Sequence, residues 1–486
     1  MKKYKYELLV LLSSTIVMVL ELTATRVLSP YVGTSNIVWT SIIGIILASM
    51  AIGYYLGGVL ADKKYNLLGY ILIISGIFIS LIPLLEVTII DFLSENIENL
   101  KIVSVLSSII LFMIPNILLA TIYPYCMKLK NIKEENIGVQ SGKLSFFETI
   151  GSILGTFLTG FLLLPLLGNR IILLSLAIIL VLISLFFIKK KIKSIILFII
   201  FIVFIVLIYI LSNKIFNDKY PNIILDKDTI YNRVFVADLY IERNNASYKH
   251  GRELRMNNRR QSIDVKDLEN VNYYNYFNLM PNLKENFSNV LLIGGGAYSY
   301  PKLFAKTFKD KHLDVVEIDP ELVNIAKKYF NYKDYQNINN YSIDGRSYLN
   351  KNKKKYDFIL VDAYKGVLAP FELTTLEAIN EMKRSLTSDG IVIANVMGAT
   401  KGKKSLYLQA QYKTFKESFD KVLLLTYFPD SEEVNTNILI GFKNYKENKV
   451  NYNNELFSTL VDYEIKDDVV TLTDDYAPVE YYTANY

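Results

Sequence analysis

Cysteine occurs once in the 486 residues, at Cys126, and histidine twice, at His250 and His312. One thiol excludes an intrachain disulfide and a cysteine-held zinc centre; two histidines argue against a histidine-rich metal site and against a Ser-His-Asp triad, so no metal is expected. Charge is also scarce, with 21% of residues charged against 51% hydrophobic. Disorder and an ordinary soluble enzyme are both poor descriptions of such a chain. The 53 Lys+Arg exceed the 47 Asp+Glu by only six, and much of the lysine lies in short clusters between apolar runs. Those clusters read as topological and solvating, and nucleic acid is not an expected partner.

What the sequence has in abundance is apolar length. A bilayer core of about 30 Å needs about 20 apolar residues per helix, and seven runs qualify, near 6–28, 37–61, 66–86, 102–123, 143–167, 170–188 and 194–212. The first contains Glu21 and Arg26 and has no small-residue cleavage site after it, so it reads as a span rather than a removed signal. Residues 1–212 are therefore expected to be a multi-span helical membrane domain, with a lipid bilayer as its partner. Glu21, Arg26 and Glu148 lie inside the runs, where ionisable groups are costly and face a partner or a cavity. Gly53, Gly57, Gly58, Gly151 and Gly155 have the spacing of close helix packing.

Lysine marks alternate loops: Lys2, Lys3 and Lys5, then Lys63 and Lys64, then Lys128, Lys130 and Lys133, then Lys189 to Lys191 with Lys193. The positive-inside rule puts those loops and the N-terminus in the cytoplasm. Seven crossings would then leave the second half outside, whereas the nucleoside argued for below is made in the cytosol. A cytoplasmic catalytic domain on a multi-pass protein of the cell membrane is expected, which requires one run not to cross. The region 66–98, interrupted by Pro83, Glu86, Asp91 and Glu95, is the candidate.

Beyond residue 212 polar residues intersperse. Short alternating stretches over 213–265 predict a small antiparallel β domain. Over 266–486 strands alternate with helices, predicting a parallel, doubly wound Rossmann-like α/β domain with its ligand beyond the carboxyl ends of the strands. Chemistry collects at those ends. Val290-Leu-Leu-Ile-Gly runs into Gly294, Gly295 and Gly296, where a ligand can approach the backbone. Glu317 closes the next strand, 21 residues after Gly296, placed to accept both hydroxyls of a ribose. Asp344 and Gly345 follow the third strand, placed to meet an adenine amino group, and Asp362 closes the fourth over the centre of the site.

With Val290-Leu-Leu-Ile-Gly-Gly-Gly, Val315-Val-Glu-Ile-Asp, Asp344-Gly345, Tyr356-Asp-Phe-Ile-Leu-Val-Asp362 and Leu472-Thr-Asp-Asp-Tyr-Ala-Pro478, the stretch from about 225 to 478 resembles the spermidine synthase family, itself similar to class I methyltransferases. The whole chain resembles membrane-fused spermidine-synthase-like proteins. The resemblance implies decarboxylated S-adenosylmethionine as bound substrate, transfer of its aminopropyl group to an amine such as a polyamine, and release of methylthioadenosine. It places Gln261 and the pair Tyr273 and Tyr274 along the site. Asp362 is assigned the catalytic role, with Tyr364 and Tyr274 shaping the tail pocket. Self-association is left open.

The chain departs from the family at two places. Ala297-Tyr298-Ser299 stands where the family continues its glycine turn with Asp-Gly-Gly, and Asp362 is followed by Ala363-Tyr364-Lys365 where a second aspartate is usual. A polyamine needs anionic partners, so these losses weaken the case for it. They suit intact S-adenosylmethionine, whose carboxylate would meet Ala297 without repulsion and could be held by Lys302 or Lys365. That carboxylate could then attack its own γ-carbon, giving homoserine lactone. Aminopropyl transfer, this lyase reaction, methyl transfer, and a non-catalytic transporter or sensor are the four readings the sequence carries.

Overall fold

The computed structural model describes the chain apart from residues 1–3, 34–35, 64–66, 98, 131–136, 189–190, 244–245, 258, 266–271, 365–368, 466–467 and 484–486. Lys365 and several of the basic loop residues lie outside the described set. The apolar runs become helices α1 (Lys5–Val32), α2 (Asn36–Asp62), α3 (Leu68–Asn96), α4 (Lys101–Leu129), α5 (Ile137–Leu166), α6 (Asn169–Ser184) and α7 (Lys191–Lys219). Among the described residues six are long and apolar enough to cross a membrane, and α6, at 16 residues, is the short one. Helices α4 and α5 each carry a π turn, at 109–113 and 159–163, just before Pro115 and Pro165. A proline has no N–H for the usual bond four residues back, so the backbone widens there instead of breaking.

The interruption expected at 66–98 is absent: α3 is one 29-residue helix with Pro83 inside it. Two of the polar residues that suggested a break, Glu86 and Asp91, are paired across the bundle. Glu86, 1% exposed, faces Arg233 Nη1 at 3.6 Å and Arg170 Nε at 3.8 Å, and Asp91 pairs with Lys219. A charge with a cation from another element can stay in a helix that sequence pattern alone would end.

Although short, α6 runs the height of the bundle. Its first residues Asn169 and Arg170 bond Asp228 and Asn213, at the end where Arg26 reaches the carbonyls of Thr229 and Ile230. Just past its last residue, Phe187 lies under Lys5, 4.0 Å from ring centre to Nζ. Lys5 and Lys219 therefore mark opposite ends, and the ion pairs Lys128–Asp62 and Lys130–Glu7 join Lys5 at the basic end. Glycines let the helices close up: a Cβ on Gly151 would sit 2.3 Å from the Leu11 carbonyl oxygen, and one on Gly53 2.5 Å from that of Ile117.

Four strands follow in the order β1-β2-β3-β4, at Ile223–Asp228, Arg233–Arg243, Ala246–Met256 and Arg259–Val265. The chain separates into two compact units, Met1–Val234 and Phe235–Tyr486, and the division falls inside β2.

The second unit is built on an eight-stranded sheet. Its strands are β5 (Asn289–Ile293), β6 (His312–Glu317), β7 (Ile338–Ser342), β8 (Tyr356–Val361), β9 (Leu386–Gly398), β10 (Lys421–Leu425), β11 (Asn435–Phe442) and β12 (Leu460–Val461). The order is β12-β10-β11-β9-β8-β5-β6-β7, with β5 to β9 parallel and β10 and β11 antiparallel. β10 and β11 pair as an antiparallel hairpin towards one edge. Between strands stand α8 (Asn272–Phe277), α9 (Ser299–Thr307), α10 (Pro320–Tyr329), α11 (Gly345–Lys351), α12 (Leu376–Ser385) and α13 (Leu406–Ser418). Leu291, Ile359, Val392 and Leu439 bury one sheet face against Met382, Leu408 and Phe415. Central strands covered on both faces need near-continuous apolar runs, which β5 and β8 have.

Candidate active site

The site begins where β5 stops. Gly294 takes φ +101°, and a Cβ there would lie 2.2 Å from the carbonyl oxygen of Asp362, so only glycine lets β5 and β8 end side by side. Gly296 also has positive φ, +51°, and a Cβ on it would meet Ser262 Oγ at 2.5 Å. The turn hands the chain to α9 through Tyr298, itself left-handed at φ +57°.

Glu317, 8% exposed at the end of β6, clasps that turn. Its Oε2 accepts the Gly295 N–H at 2.8 Å and the Gly296 N–H at 3.2 Å, while Oε1 accepts the Asp319 N–H at 3.0 Å. Burial pushes its carboxyl above the usual carboxylate range, and the three N–H bonds oppose that. A carboxylate fixed this way keeps further lone pairs for a diol beside the glycine turn.

Asp344 caps α11, its Oδ1 accepting Ser347 N–H at 2.7 Å, and Gly345 is buried against Ile293 and Leu373. Arg346 Nη2 bonds Asp474 Oδ2 at 2.9 Å, and Asp474 Oδ1 accepts from Thr375 at 2.6 Å. The Leu472–Pro478 segment is thereby held at the same edge as the cap.

Asp362 is half-buried after β8. Its Oδ1 accepts Asn395 Nδ2 at 2.9 Å. Desolvation pushes its carboxyl up, and Asn395 and the nearby Tyr273 hydroxyl oppose that. The Tyr273 and Tyr274 rings lie 4.3 Å apart beside it, and the Ser299 hydroxyl donates to the Ile263 carbonyl at 2.9 Å. Burial raises the Tyr274 phenol, so it stays a neutral hydroxyl at any ordinary pH. Glu317, Asp362, the glycine turn and Tyr274 thus share one rim of the sheet.

Other expected residues stand elsewhere. Tyr364 donates to the Asn395 carbonyl at 2.7 Å and accepts the Met397 N–H at 2.9 Å, so its hydroxyl is held by β9 rather than turned to a tail pocket. Gln261 donates to its neighbour Arg260 at 3.3 Å; strand alternation brings Ser262 to the turn instead, where its Oγ accepts the Ala297 N–H at 3.2 Å. Lys302 pairs with Asp264 at 2.6 Å and with the Phe330 carbonyl at 3.0 Å, so it is engaged and not waiting for a substrate carboxylate. Ala297 is 1% exposed beside these groups. Sequence reasoning missed Asn395, Ser262 and Ser299. A lone Asn in the apolar run Ile391–Val396 was the available sign for the first; the other two become visible only when β4 is laid against α9.

Residues 277–471 match the spermine/spermidine synthase domain family. The C-terminal region carries a spermine/spermidine synthase domain. The chain is 37% identical over 115 residues to the polyamine aminopropyltransferase of Vibrio vulnificus, covering 23% of this chain and 38% of that protein. It is 28% identical over 147 residues to a probable polyamine aminopropyl transferase of Bifidobacterium longum, covering 30% of this chain and 32% of that one. The chain thus spans about a third of the length of these relatives. A probable spermidine synthase from Corynebacterium glutamicum superposes with a TM-score of 0.41 at 16% identity, over 50% of this chain and 94% of that one. The ends of β8, β5 and β6 stand side by side in the sheet, which brings Asp362, the glycine turn and Glu317 together.

Proposed function

We propose that the protein is a membrane-integrated aminopropyltransferase that cleaves the γ-carbon–sulfur bond of decarboxylated S-adenosylmethionine and releases methylthioadenosine. Glu317 would hold the ribose, Asp344 the adenine edge, and Tyr274 with Tyr273 the aminopropyl tail. The nitrogen of an unprotonated amine attacks the γ-carbon, the carbon–sulfur pair returns to the sulfonium, and neutral thioether leaves. The proton lost by the new secondary ammonium passes to Asp362 or water. Alignment and one anion beside the cationic centre supply the rate acceleration. The observation that carries the reading is Asp362, a half-buried carboxylate held by Asn395 at the end of β8, beside the glycine turn.

Engagement of Lys302 by Asp264 favours the decarboxylated nucleoside over the intact one, because it removes a cation that would hold the extra carboxylate. Ala297 favours the reverse, and with it intramolecular closure to homoserine lactone, since no anion stands there to repel a substrate carboxylate. Incubating the full-length protein with each nucleoside, with and without 1,4-diaminobutane, and identifying products by mass spectrometry tests both. Methylthioadenosine formed only with the amine supports transfer; formation without it supports the lyase; S-adenosylhomocysteine would overturn both in favour of methyl transfer.

Sidedness belongs to the same reading. The cytoplasmic placement rested on the cytosolic origin of the nucleoside and needed one run not to cross; the candidate within 66–98 is the continuous helix α3, and α6 is the short run. Because the chain leaves the bundle at Lys219, opposite the basic end at Lys5, the positive-inside rule assigns the exit to the non-cytoplasmic face. We adopt that placement, which requires the nucleoside to be supplied on that side.

A further inference from the structure

Within the helical unit lies a cavity of 240 Å³ between α1, α2, α4 and α5. A single buried water needs only about 10–15 Å³ on such a measure, so there is room for an organic molecule. Its lining combines polar groups, Ser13, Ser14, Tyr54, Tyr123 and Glu148 among them, with the apolar Val17, Met18 and Met50. Ser14 stands nine residues past Lys5, about 13 Å along the helix axis, too deep for the headgroup region to reach.

Every polar group here is an acceptor or a neutral hydroxyl. Glu148 Oε1 accepts the Tyr54 hydroxyl at 2.6 Å, and no lysine, arginine or histidine lines the cavity among the described residues. Three other acids of the bundle are held by cations. Glu7 is bonded by Lys130 at 2.8 Å, Glu86 lies between two arginines, and Asp91 has Lys219. Glu148 has a tyrosine and an open space. The Tyr54 and Tyr123 rings, 6.0 Å apart and inclined at 62°, border that space and can offer π faces to a cation. A carboxylate, two aromatic rings and an aliphatic wall match an alkylammonium ion; a bare metal ion would want a shell of oxygens that the methionine side does not provide.

We propose that this cavity is a binding site for a primary alkylammonium ion, with its ammonium on Glu148 Oε2 and the tyrosine faces and its carbon chain along Val17, Met18 and Met50. The inference goes beyond the enzymatic reading and does not rest on it, since it concerns the helical unit alone.

The test is equilibrium binding of radiolabelled 1,4-diaminobutane to the full chain in lipid nanodiscs, competed by n-butylamine or by sodium chloride. Glu148→Gln should weaken this binding by roughly ten- to a hundredfold, as loss of a charge-assisted bond does, and Tyr54→Phe should weaken it less. In an Asp362→Asn background, which weakens any amine site in the synthase domain, Glu148→Gln should cause the same loss, which separates the two sites. n-Butylamine should compete and sodium should not. Unaltered binding in a folded Glu148→Gln protein, or equal competition by sodium, overturns the proposal. Should Glu148→Gln not fold, wild-type affinity in Tyr54→Phe overturns it as well. Absence of amine binding, with Glu148 merely taking up a proton, also overturns it.

Discussion

In the proposed reaction Glu317 and Asp362 would carry the chemistry, each a carboxylate held by donors of the fold at a strand end. Removing the Glu317 carboxyl deletes the acceptor for a ribose diol, and Glu317→Ala should weaken nucleoside binding by ~1.5–3 kcal/mol, about ten- to over a hundredfold, in calorimetry. Unchanged affinity in a folded variant would remove the ribose assignment. Asp362→Asn keeps size and the Tyr273 contact while deleting the anion, so turnover should fall far more than affinity. The same substitution has an opposite effect on stability. A carboxyl whose folded pKa is raised by burial stabilises the fold below its unfolded pKa, near 3.9 for an aspartate, and that contribution disappears as pH rises through the folded value. At pH 8 the ligand-free Asp362→Asn protein should therefore melt higher than wild type, with the difference shrinking towards pH 4. Calorimetry showing a lower melting temperature at pH 8 would contradict the desolvated environment assigned to Asp362. These two acids were legible in the sequence because each ends an apolar strand. Gln261, Lys302 and Tyr364 were not, because their orientation depends on β4 meeting α9 and on β8 meeting β9, contacts that cross 30 or more residues.

At the scale of elements, the glycine turn is the joint on which the site depends. Gly294→Ala puts a Cβ 2.2 Å from the Asp362 carbonyl oxygen in a backbone conformation at φ +101°. It should destabilise the synthase domain by about 2–4 kcal/mol and abolish nucleoside binding, because β5 and β8 must part to admit the methyl. Denaturant titration giving wild-type stability would show that the turn can relax. The parallel strands and edge hairpin were readable from runs such as Val290-Leu-Leu-Ile and Tyr356-Asp-Phe-Ile-Leu-Val, whose lengths match β5 and β8. The third strand, Ile338–Ser342, is hard to read because Asn339 and Asn340 interrupt its apolar character and pairing with β6 holds it. The helical unit misled in a different way. Glu86 and Asp91 look like breaks in α3 until Arg233, Arg170 and Lys219 are brought to them by later parts of the chain.

At the scale of the molecule, the helical unit makes a topological demand that is open to direct test. Cysteines at the exposed positions Lys63 and Asn222, each in a Cys126→Ser background, stand at opposite ends of the bundle. A membrane-impermeant thiol reagent should label Asn222→Cys in intact cells and Lys63→Cys only after lysis. Labelling of both from one side would mean that one helix, α6 first, does not cross. The synthase domain matters most, and its product decides the account. The full-length protein, given decarboxylated S-adenosylmethionine and 1,4-diaminobutane, should form methylthioadenosine together with the aminopropylated amine in equal amounts, and neither when Asp362 is replaced by Asn. Recovery of the nucleoside intact, or its conversion at the same rate in the Asp362→Asn protein, would contradict it.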